Sequence, residues 1–272
     1  MKRGLLVLLF LIWGLTREAG GSFAADSQLE NEPEDYKLLQ NIITTEFAGQ
    51  VPHEWGDSVS GVKLRLKTDE KVLALGVDAC GLMGKGEDAK LIRFFEKENI
   101  PATLFFCGDW VDKNPTILKR LAANPLFEIA NQGVSSKACS VNGKMAEGAP
   151  GTRDIKDLFT EIEKNARKIE SITGILPQYF HAGGAGYYDE VAVRIIKALG
   201  YEALGSSVHL PRGRGLEKKQ AVEVLMSPSA GAIAILGGDP LQSFVADTVI
   251  ETVHKLRSQG YKFVKVSDYL LE

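Results

Sequence analysis

The chain has 272 residues, of which 44% are hydrophobic and 25% charged, a composition typical of a soluble globular domain with a sizeable core. Its 32 Lys and Arg against 35 Asp and Glu give a formal net charge of -3, which offers no argument for a nucleic acid or an anionic membrane as partner. The three cysteines are too few for a disulfide scaffold and lack metal-site spacing.

The N-terminal segment has the pattern of a secretory signal peptide. Two basic residues precede the apolar run Leu5–Leu15, and the small residues Ser22 and Ala24 suit cleavage after Ala24. The apolar run is shorter than the roughly 20 residues that span a bilayer. We therefore expect residues 1–24 to be removed, no stable membrane anchor to remain, and the protein to be exported, either to the periplasm or to the medium.

The remaining chain divides into a lead-in and one folded domain. Residues 25–54 are expected to form the lead-in. Its residues 26–45 are acidic and polar, and we expect them to be mobile and to end in a short helix around Tyr36–Ile43. Residues 55–272 are expected to form the domain. Its predicted strands are Val72–Val77, Ala102–Phe106, Phe127–Ala130, Gln178–Phe180, Tyr201–Gly205, Ala232–Leu236 and Lys262–Val266. Its predicted helices are Asp88–Glu98, Asn114–Ala123, Asp154–Ile172, Asp189–Leu199, Lys218–Met226 and Val245–Ser258.

Seven apolar strands alternating with helices predict an α/β fold with a parallel sheet covered on both faces, either doubly wound or closed into a barrel. No glycine-rich dinucleotide fingerprint follows the first strand, which weakens the nucleotide-binding option. Both layouts place ligands at the carboxyl ends of the strands. The segments there are Asp78–Gly81, Cys107–Trp110, Asn131–Gly133, His181–Gly183, Ser206–His209 and Gly237–Asp239.

Several segments resemble the NodB-homology family of polysaccharide deacetylases. They are VLALGVDACG, IPATLFFCGDW, FEIANQG, GTRDIKDLFTEIEKNARKIESITG, AGYYDEVAVRIIKALG, GAIAILGGDP and GYKFVKVSDYL. The resemblance runs from Trp55 to the C-terminus in the family's order, and it is closest to a branch with Asp-Ala-Cys-Gly in place of Asp-Asp-Gly. It implies an irregular NodB-like (β/α) barrel of about seven parallel strands.

The resemblance also implies a chemistry, the hydrolysis of an N- or O-acetyl group on a sugar polymer. In the family one Asp and a His-x-x-x-His pair hold a divalent metal, usually zinc, which polarises the acetyl carbonyl and its bound water. At the matching positions this chain has Ala79, Gln132 and Ser136. Because these residues offer neither imidazole nor carboxylate, we expect no metal cofactor and no ordinary deacetylase mechanism.

The family's acid–base residues are also mostly replaced. Asp78 stands at the position of the base Asp, His181 at that of the Arg that orients the base, and Gly237 near that of the late acid His. Asp78 and His181 are therefore the candidate catalytic residues. The alternatives are structural: Asp78 caps the loop after its strand, and His181 is a hydrogen-bonded residue at a strand end.

Four residues near predicted strand ends are candidate substrate contacts: Trp110, Asn131, Tyr187 and Tyr188. The flat faces of the three aromatic rings suit stacking on sugar rings, and packing at the barrel rim is the alternative. Cys80 and Cys107 follow neighbouring strands; a disulfide between them stays open, although two free buried thiols are favoured, and the state of Cys139 is not fixed.

The leading hypothesis is an exported protein of carbohydrate metabolism that no longer deacetylates but binds a glycan or acts in envelope polysaccharide assembly. One alternative is an active hydrolase of acetylated carbohydrate with an atypical site around Asp78 and His181. Another is a non-catalytic interaction module whose outer helices contact a protein. A glycan or acetylated polysaccharide is the expected partner, and the sequence names neither the polymer, a protein partner nor the oligomeric state.

Overall fold

The computed structural model describes residues 32–82, 87–208, 218–237 and 245–272. Its centre is a curled seven-stranded sheet whose strands all pair in parallel. The strands are β1 Val72–Asp78, β2 Ala102–Phe106, β3 Phe127–Asn131, β4 Tyr179–Phe180, β5 Glu202–Ala203, β6 Ala232–Leu236 and β7 Lys262–Val264. Their order is β6-β1-β2-β3-β4-β5, with β7 also paired to β1. The expectation of an irregular NodB-like (β/α) barrel with about seven parallel strands is confirmed, and the curled sheet forms a half-barrel.

The segment before β1 bridges the two edge strands of the curled sheet. Lys63 pairs with Leu204 just after β5, and Arg65 pairs with Ala232 in β6. The N–H of Lys63 donates to Ala203 O at 2.8 Å. This segment therefore supplies backbone partners to both edges and holds the sheet in its curled shape.

Seven helices of eight or more residues cover the sheet in the part of the chain that the structure describes. They are α1 Glu34–Glu46, α2 Glu87–Glu98, α3 Pro115–Ala122, α4 Ile155–Thr173, α5 Glu190–Ala198, α6 Lys218–Leu225 and α7 Val245–Ser258. Local signals at both ends determine where α4 begins and ends. The carboxylate of Asp154 accepts a hydrogen bond from Asp157 N–H at 2.8 Å, and Gly174 ends the helix with φ of 74°.

Side chains of each strand alternate between the concave face of the sheet and the helices. In β1, Val72 and Ala74 belong to a concave cluster with Phe105, whereas Leu73 and Leu75 pack among helical residues. The same alternation carries every second side chain of the other strands to the concave face. At the carboxyl ends of the strands it determines which residues line the candidate site.

Several short elements at the strand ends are absent from the sequence-based expectation. They are the helical turns Ala79–Leu82, Gly108–Lys113 and Gly183–Gly186, the antiparallel pair Trp55–Gly56 with Tyr188–Asp189, the hairpin Met145–Ala146 with Ala149–Pro150, and the 3-10 turn Val266–Asp268. They are too short to leave a periodic pattern, which needs a window of about 11–18 residues.

The helix expected around Tyr36–Ile43 is present as α1, but it packs on the domain and is not the mobile segment that the sequence predicts. Tyr36 and Ile43 of α1 are buried. The Tyr36 ring lies 4.9 Å from that of Phe159 in α4, and the Arg167 guanidinium lies 5.3 Å from the centroid of the Tyr36 ring. Residues 1–24, the predicted signal peptide, lie outside the described residues, and its cleavage stays a prediction. In the described ranges no helix has both the length and the apolar character that crossing a membrane requires.

The preference for free thiols at Cys80 and Cys107 is also corrected. The two residues form a disulfide between the turn after β1 and the end of β2. The spacing of the two cysteines in sequence does not decide whether they pair, because a disulfide requires their Cα atoms to be close, and that depends on which strands are neighbours. Cys139 is free and buried, and burial raises the pKa of its thiol well above the usual range.

Candidate functional site

Strand alternation brings four of the family-matched positions to one place, which we call the mouth: Asp78, Gln132, His181 and Gly237. Asp78 ends β1, and each of the other three lies one residue after β3, β4 or β6. Two positions earlier in their strands stand Ala130, Tyr179 and Ile235, which pack in or against the concave cluster. The mouth is therefore the carboxyl-end layer of the concave face.

The side chain of Asp78 is half-buried and forms a hydrogen bond with the backbone of the loop that follows it. Its Oδ1 accepts a hydrogen bond from the N–H of Cys80 at 3.0 Å. The backbone of Gly237 lies so close that an added Cβ would stand 2.2 Å from the Asp78 Cβ. The position matched to the late acid His is therefore packed against the position of the base, and it has no space for a side chain without movement of the chain.

His181 is buried and held by its backbone and its ring. Its Nδ1 lies 2.9 Å from Leu204 O, so this nitrogen carries the proton, because a carbonyl oxygen only accepts. The backbone N–H of His181 donates to Asn131 O at 3.0 Å, and the imidazole ring lies 5.4 Å from the ring of Phe105. In the neutral ring Nε2 is then an acceptor. The sequence places His181 at the mouth correctly, and its catalytic role stays a prediction.

Asn131 is fully buried and connects β3 with α4. Its Nδ2 donates to Ile162 O at 2.8 Å, and its Oδ1 accepts from Gly133 N–H at 2.8 Å and from Asn165 Nδ2 at 2.7 Å. The Asn165 amide also donates to Phe106 O at 2.8 Å. The side-chain amide of Asn131 is thus engaged within the protein on both its oxygen and its nitrogen, and it fixes the start of the loop that carries positions 132 and 136.

The same loop is clamped by a buried carboxylate of α4. Glu161 Oε1 accepts from the N–H groups of Ser135 at 2.8 Å and Lys137 at 3.1 Å. Burial raises the pKa of Glu161, although these hydrogen bonds act in the opposite direction. Gly133 has φ of 82°, and an added Cβ would lie 2.4 Å from Glu161 Oε1, so the close approach of loop and carboxylate requires glycine.

The residues at the metal-matched positions do not fit zinc. Ala79 is fully buried in the apolar cluster between sheet and helices and has no donor atom. Gln132 and Ser136 offer only a neutral amide and a hydroxyl, which are poor partners for this ion. Among the residues that the structure describes, no group of three or more His, Cys, Asp or Glu could hold a metal ion.

The candidate aromatic contacts differ in exposure. Trp110 is buried with its ring 4.5 Å from that of Phe106, and Tyr188 is buried with its hydroxyl bonded to the N–H of Ala182 at 2.7 Å. Tyr187 is half-buried and lies 5.7 Å from the ring of Trp55. Of the three aromatic candidates, Tyr187 alone is not buried in the described structure. Its neighbour Gly186 lies against the His181 ring, which places Tyr187 at the rim of the mouth.

Three residues of this site escaped the sequence-based argument: Trp55, Glu161 and Asn165. Trp55 lies in a two-residue strand that pairs with Tyr188–Asp189, a contact with no local signal in sequence. Glu161 and Asn165 are four residues apart on the buried stripe of α4. Polar residues on an otherwise apolar helix face are a detectable signal, because such groups are buried only with hydrogen-bond partners.

Comparison with known proteins gives a consistent picture. A family profile described as polysaccharide deacetylase matches residues 65–204. PdaA of Bacillus subtilis, a family 4 carbohydrate esterase, shares 21% identity over 80% of this chain and 96% of its own, with a TM-score of 0.60.

BA3943 of Bacillus anthracis, a CE4 family pseudoenzyme, shares 18% identity over 78% of this chain and 69% of its own, with a TM-score of 0.61. A BA3943 mutant described as having restored enzymatic activity shares 19% identity over 78% of this chain and 72% of its own, with a TM-score of 0.62. No curated protein sequence matches the chain significantly. At these identities the solved structures support the fold alone.

Proposed function

The chain belongs to the polysaccharide deacetylase family, and from that premise we propose that it binds an acetylated glycan at the mouth without hydrolysing it. The observation that carries this proposal is the donor set at the metal-matched positions, where Ala79, Gln132 and Ser136 provide no ligand that zinc prefers. Without the ion, the acetyl carbonyl is not polarised and no metal-bound water attacks it.

The missing proton donor supports the same proposal. A leaving amine or alcohol needs protonation as it departs, and the family uses a late His for this step. Gly237 stands near that position, and its contact with Asp78 leaves no space for another side chain. The fold is compatible with loss of the mechanism in other family members, since BA3943 is described as a CE4 pseudoenzyme.

The rim of the mouth supports glycan binding. Tyr187 and Trp55 form a half-buried aromatic pair at a ring separation of 5.7 Å, and Lys144 Nζ lies 5.8 Å from the Trp55 ring. Aromatic faces stack on the apolar faces of sugar rings, and the ammonium group adds a donor for hydroxyl groups. With the N-terminal signal pattern, this favours an exported protein that acts on envelope or secreted polysaccharide.

A second candidate function, hydrolysis through an atypical site, is favoured by one observation. Asp78 and the ring of His181 share the mouth, and the neutral ring of His181 has Nε2 as an acceptor, as a general base requires. Such an enzyme would release acetate, whereas the proposed binder would not.

One set of measurements on the purified protein separates these functions. We expect no stoichiometric zinc by elemental analysis, no acetate from acetylated chitooligosaccharides or acetylated xylan, and binding to at least one of these glycans. Tyr187→Ala should weaken that binding, whereas Tyr269→Ala, which removes a ring bonded to Glu70 near the amino ends of the strands, should not. Stoichiometric zinc, or acetate release that disappears in Asp78→Asn, would overturn the proposal.

A further inference from the structure

Near the amino ends of the strands, the concave face carries a second group of polar side chains. Tyr179, the first residue of β4, belongs to the concave cluster and is the Cα partner of Glu202, the first residue of β5. Partners in a parallel ladder have their side chains on the same face of the sheet. In β3, Phe127 and Ile129 pack on the helical side, so Glu128 between them also faces the concave side.

Three carboxylates surround the hydroxyl of Tyr179, and we call these four groups the basal site. Burial and, after it, the negative charges of Glu128, Glu202 and Asp268 raise the pKa of Tyr179 to about 12. Asp268 reaches this place because the preceding residue, Ser267, donates its N–H to the Glu128 carboxylate at 3.4 Å. The charges around the hydroxyl are therefore negative.

The hydroxyl of Tyr179 has no hydrogen-bond partner among the residues that the structure describes. Its residue is only 7% exposed. Two other buried tyrosines show the usual behaviour, since Tyr188 donates to Leu204 O at 2.8 Å and Tyr201 donates to Glu163 at 2.7 Å. Tyr179 thus leaves its oxygen unused as an acceptor beside three carboxylates, where a partner with positive charge is favoured.

The chain supplies no such partner within its described ranges. None of the three carboxylates forms an ion pair there. Lys265 acts on Glu128 by its charge, but its ammonium donates to the carbonyl of Pro125 at 3.3 Å. No described group of three or more His, Cys, Asp or Glu could hold a metal ion, these carboxylates included. A cation that fits the basal site is therefore an organic one with N–H donors.

We propose that the basal site binds a primary ammonium group at the end of an unbranched alkyl chain. The ammonium donates hydrogen bonds to the Tyr179 oxygen and to the Glu202 carboxylate, and the other two carboxylates add attraction. Because Tyr179 is almost buried, a slim chain reaches it, whereas an amine attached directly to a sugar ring does not. A free polyamine and a lysine side chain of a polypeptide both carry this group. The site is independent of glycan binding at the mouth.

The test is isothermal titration calorimetry of the unmodified protein with three probes. Spermidine represents a free polyamine, Nα-acetyl-lysine methylamide represents a lysine side chain, and tetramethylammonium is a cation without N–H groups. We expect one saturable site for spermidine or the lysine derivative, with a dissociation constant of about 1 mM or lower, and at least about tenfold weaker binding of tetramethylammonium. The tighter of the first two probes identifies the source of the ammonium. No saturable binding of either would overturn the proposal.

Two conservative variants test the named contacts. Tyr179→Phe removes the hydroxyl and keeps the ring, and Glu202→Gln removes one charge. Each should weaken binding of the tighter probe about three- to tenfold. The matched control is Glu170→Gln, on an exposed position of α4, which should leave binding unchanged. Equal weakening by Glu202→Gln and Glu170→Gln would show only a general attraction of cations to the protein and would refute the site.

The stability of the ligand-free protein provides a second readout. A hydroxyl without a partner contributes no hydrogen bond to the fold, so Tyr179→Phe should leave the melting temperature unchanged or raise it. A lowered melting temperature would show that the hydroxyl is bonded within the protein, and the proposal would then be wrong.

Discussion

The hydrogen bonds of Asn131 predict a large and specific stability effect. Asn131→Ala removes the partner of three buried groups: the carbonyl of Ile162, the N–H of Gly133 and one N–H of the Asn165 amide. A buried group that loses its partner costs about 1–3 kcal/mol. Since the loop can relax and the Asn165 amide keeps its bond to Phe106 O, we take the lower half of that range for each of the three groups and expect a loss of about 3–6 kcal/mol.

Urea unfolding followed by circular dichroism measures this loss directly. The matched control is Asn142→Ala, because Asn142 is exposed and its Oδ1 accepts one hydrogen bond, from Ser140 Oγ at 2.9 Å. That variant should lose less than about 1 kcal/mol. The reasoning is refuted if Asn131→Ala has the same urea midpoint as the unmodified protein and loses only glycan binding. Asn131 would then contact the ligand, and its bonds to α4 would not stabilise the fold.

Three further predictions concern the residues around the mouth. The Cys80–Cys107 disulfide closes a loop with a sequence separation of 27, so Cys80→Ser with Cys107→Ser should cost about 3–4 kcal/mol of unfolding free energy, whereas an unchanged urea midpoint would contradict the disulfide. Because burial raises the pKa of Glu161 in the folded protein, the unfolded chain releases this proton at a lower pH, so the free energy of unfolding should fall as pH rises above about 4, the ordinary pKa of a Glu; Glu161→Gln should flatten that profile, and an equally steep one would refute the assignment. Gly183→Ala would place a Cβ 1.5 Å from Ser136 O, so it should lower the melting temperature, and an unchanged value would show that the two loops are not in contact.

The strands and long helices follow from sequence because each is long enough to show its period. β6 Ala232–Leu236 and α7 Val245–Ser258 have the predicted bounds, and β1 is one residue longer than predicted. The parallel arrangement follows from alternation of strands with helices. α1 is different: its burial depends on the distant Phe159, so a polar composition alone suggested mobility.

The site was partly predictable for a related reason. Period-two alternation and the family match place Asp78, Gln132 and His181 together, because each stands at the carboxyl end of a strand with the same parity. The clamp of Glu161 on the loop and the disulfide between Cys80 and Cys107 join segments 26 and 27 residues apart. Such contacts depend on strand order and register, which no local pattern contains.

The packing around the mouth also predicts that restoring the metal ligands alone does not restore a zinc site. In the variant Ala79→Asp, Gln132→His and Ser136→His, the new carboxylate replaces a methyl group that is fully buried in the apolar cluster, and burial of an unpaired charge is strongly unfavourable. Ser136 has φ of 57°, and its carbonyl lies where a Cβ at Gly183 would stand, so its backbone is fixed by close contact. We therefore expect substoichiometric zinc, no acetate release and a lower melting temperature than the unmodified protein. Stoichiometric zinc with acetate release would show that the surrounding structure still permits the mechanism and that three side chains alone account for its loss.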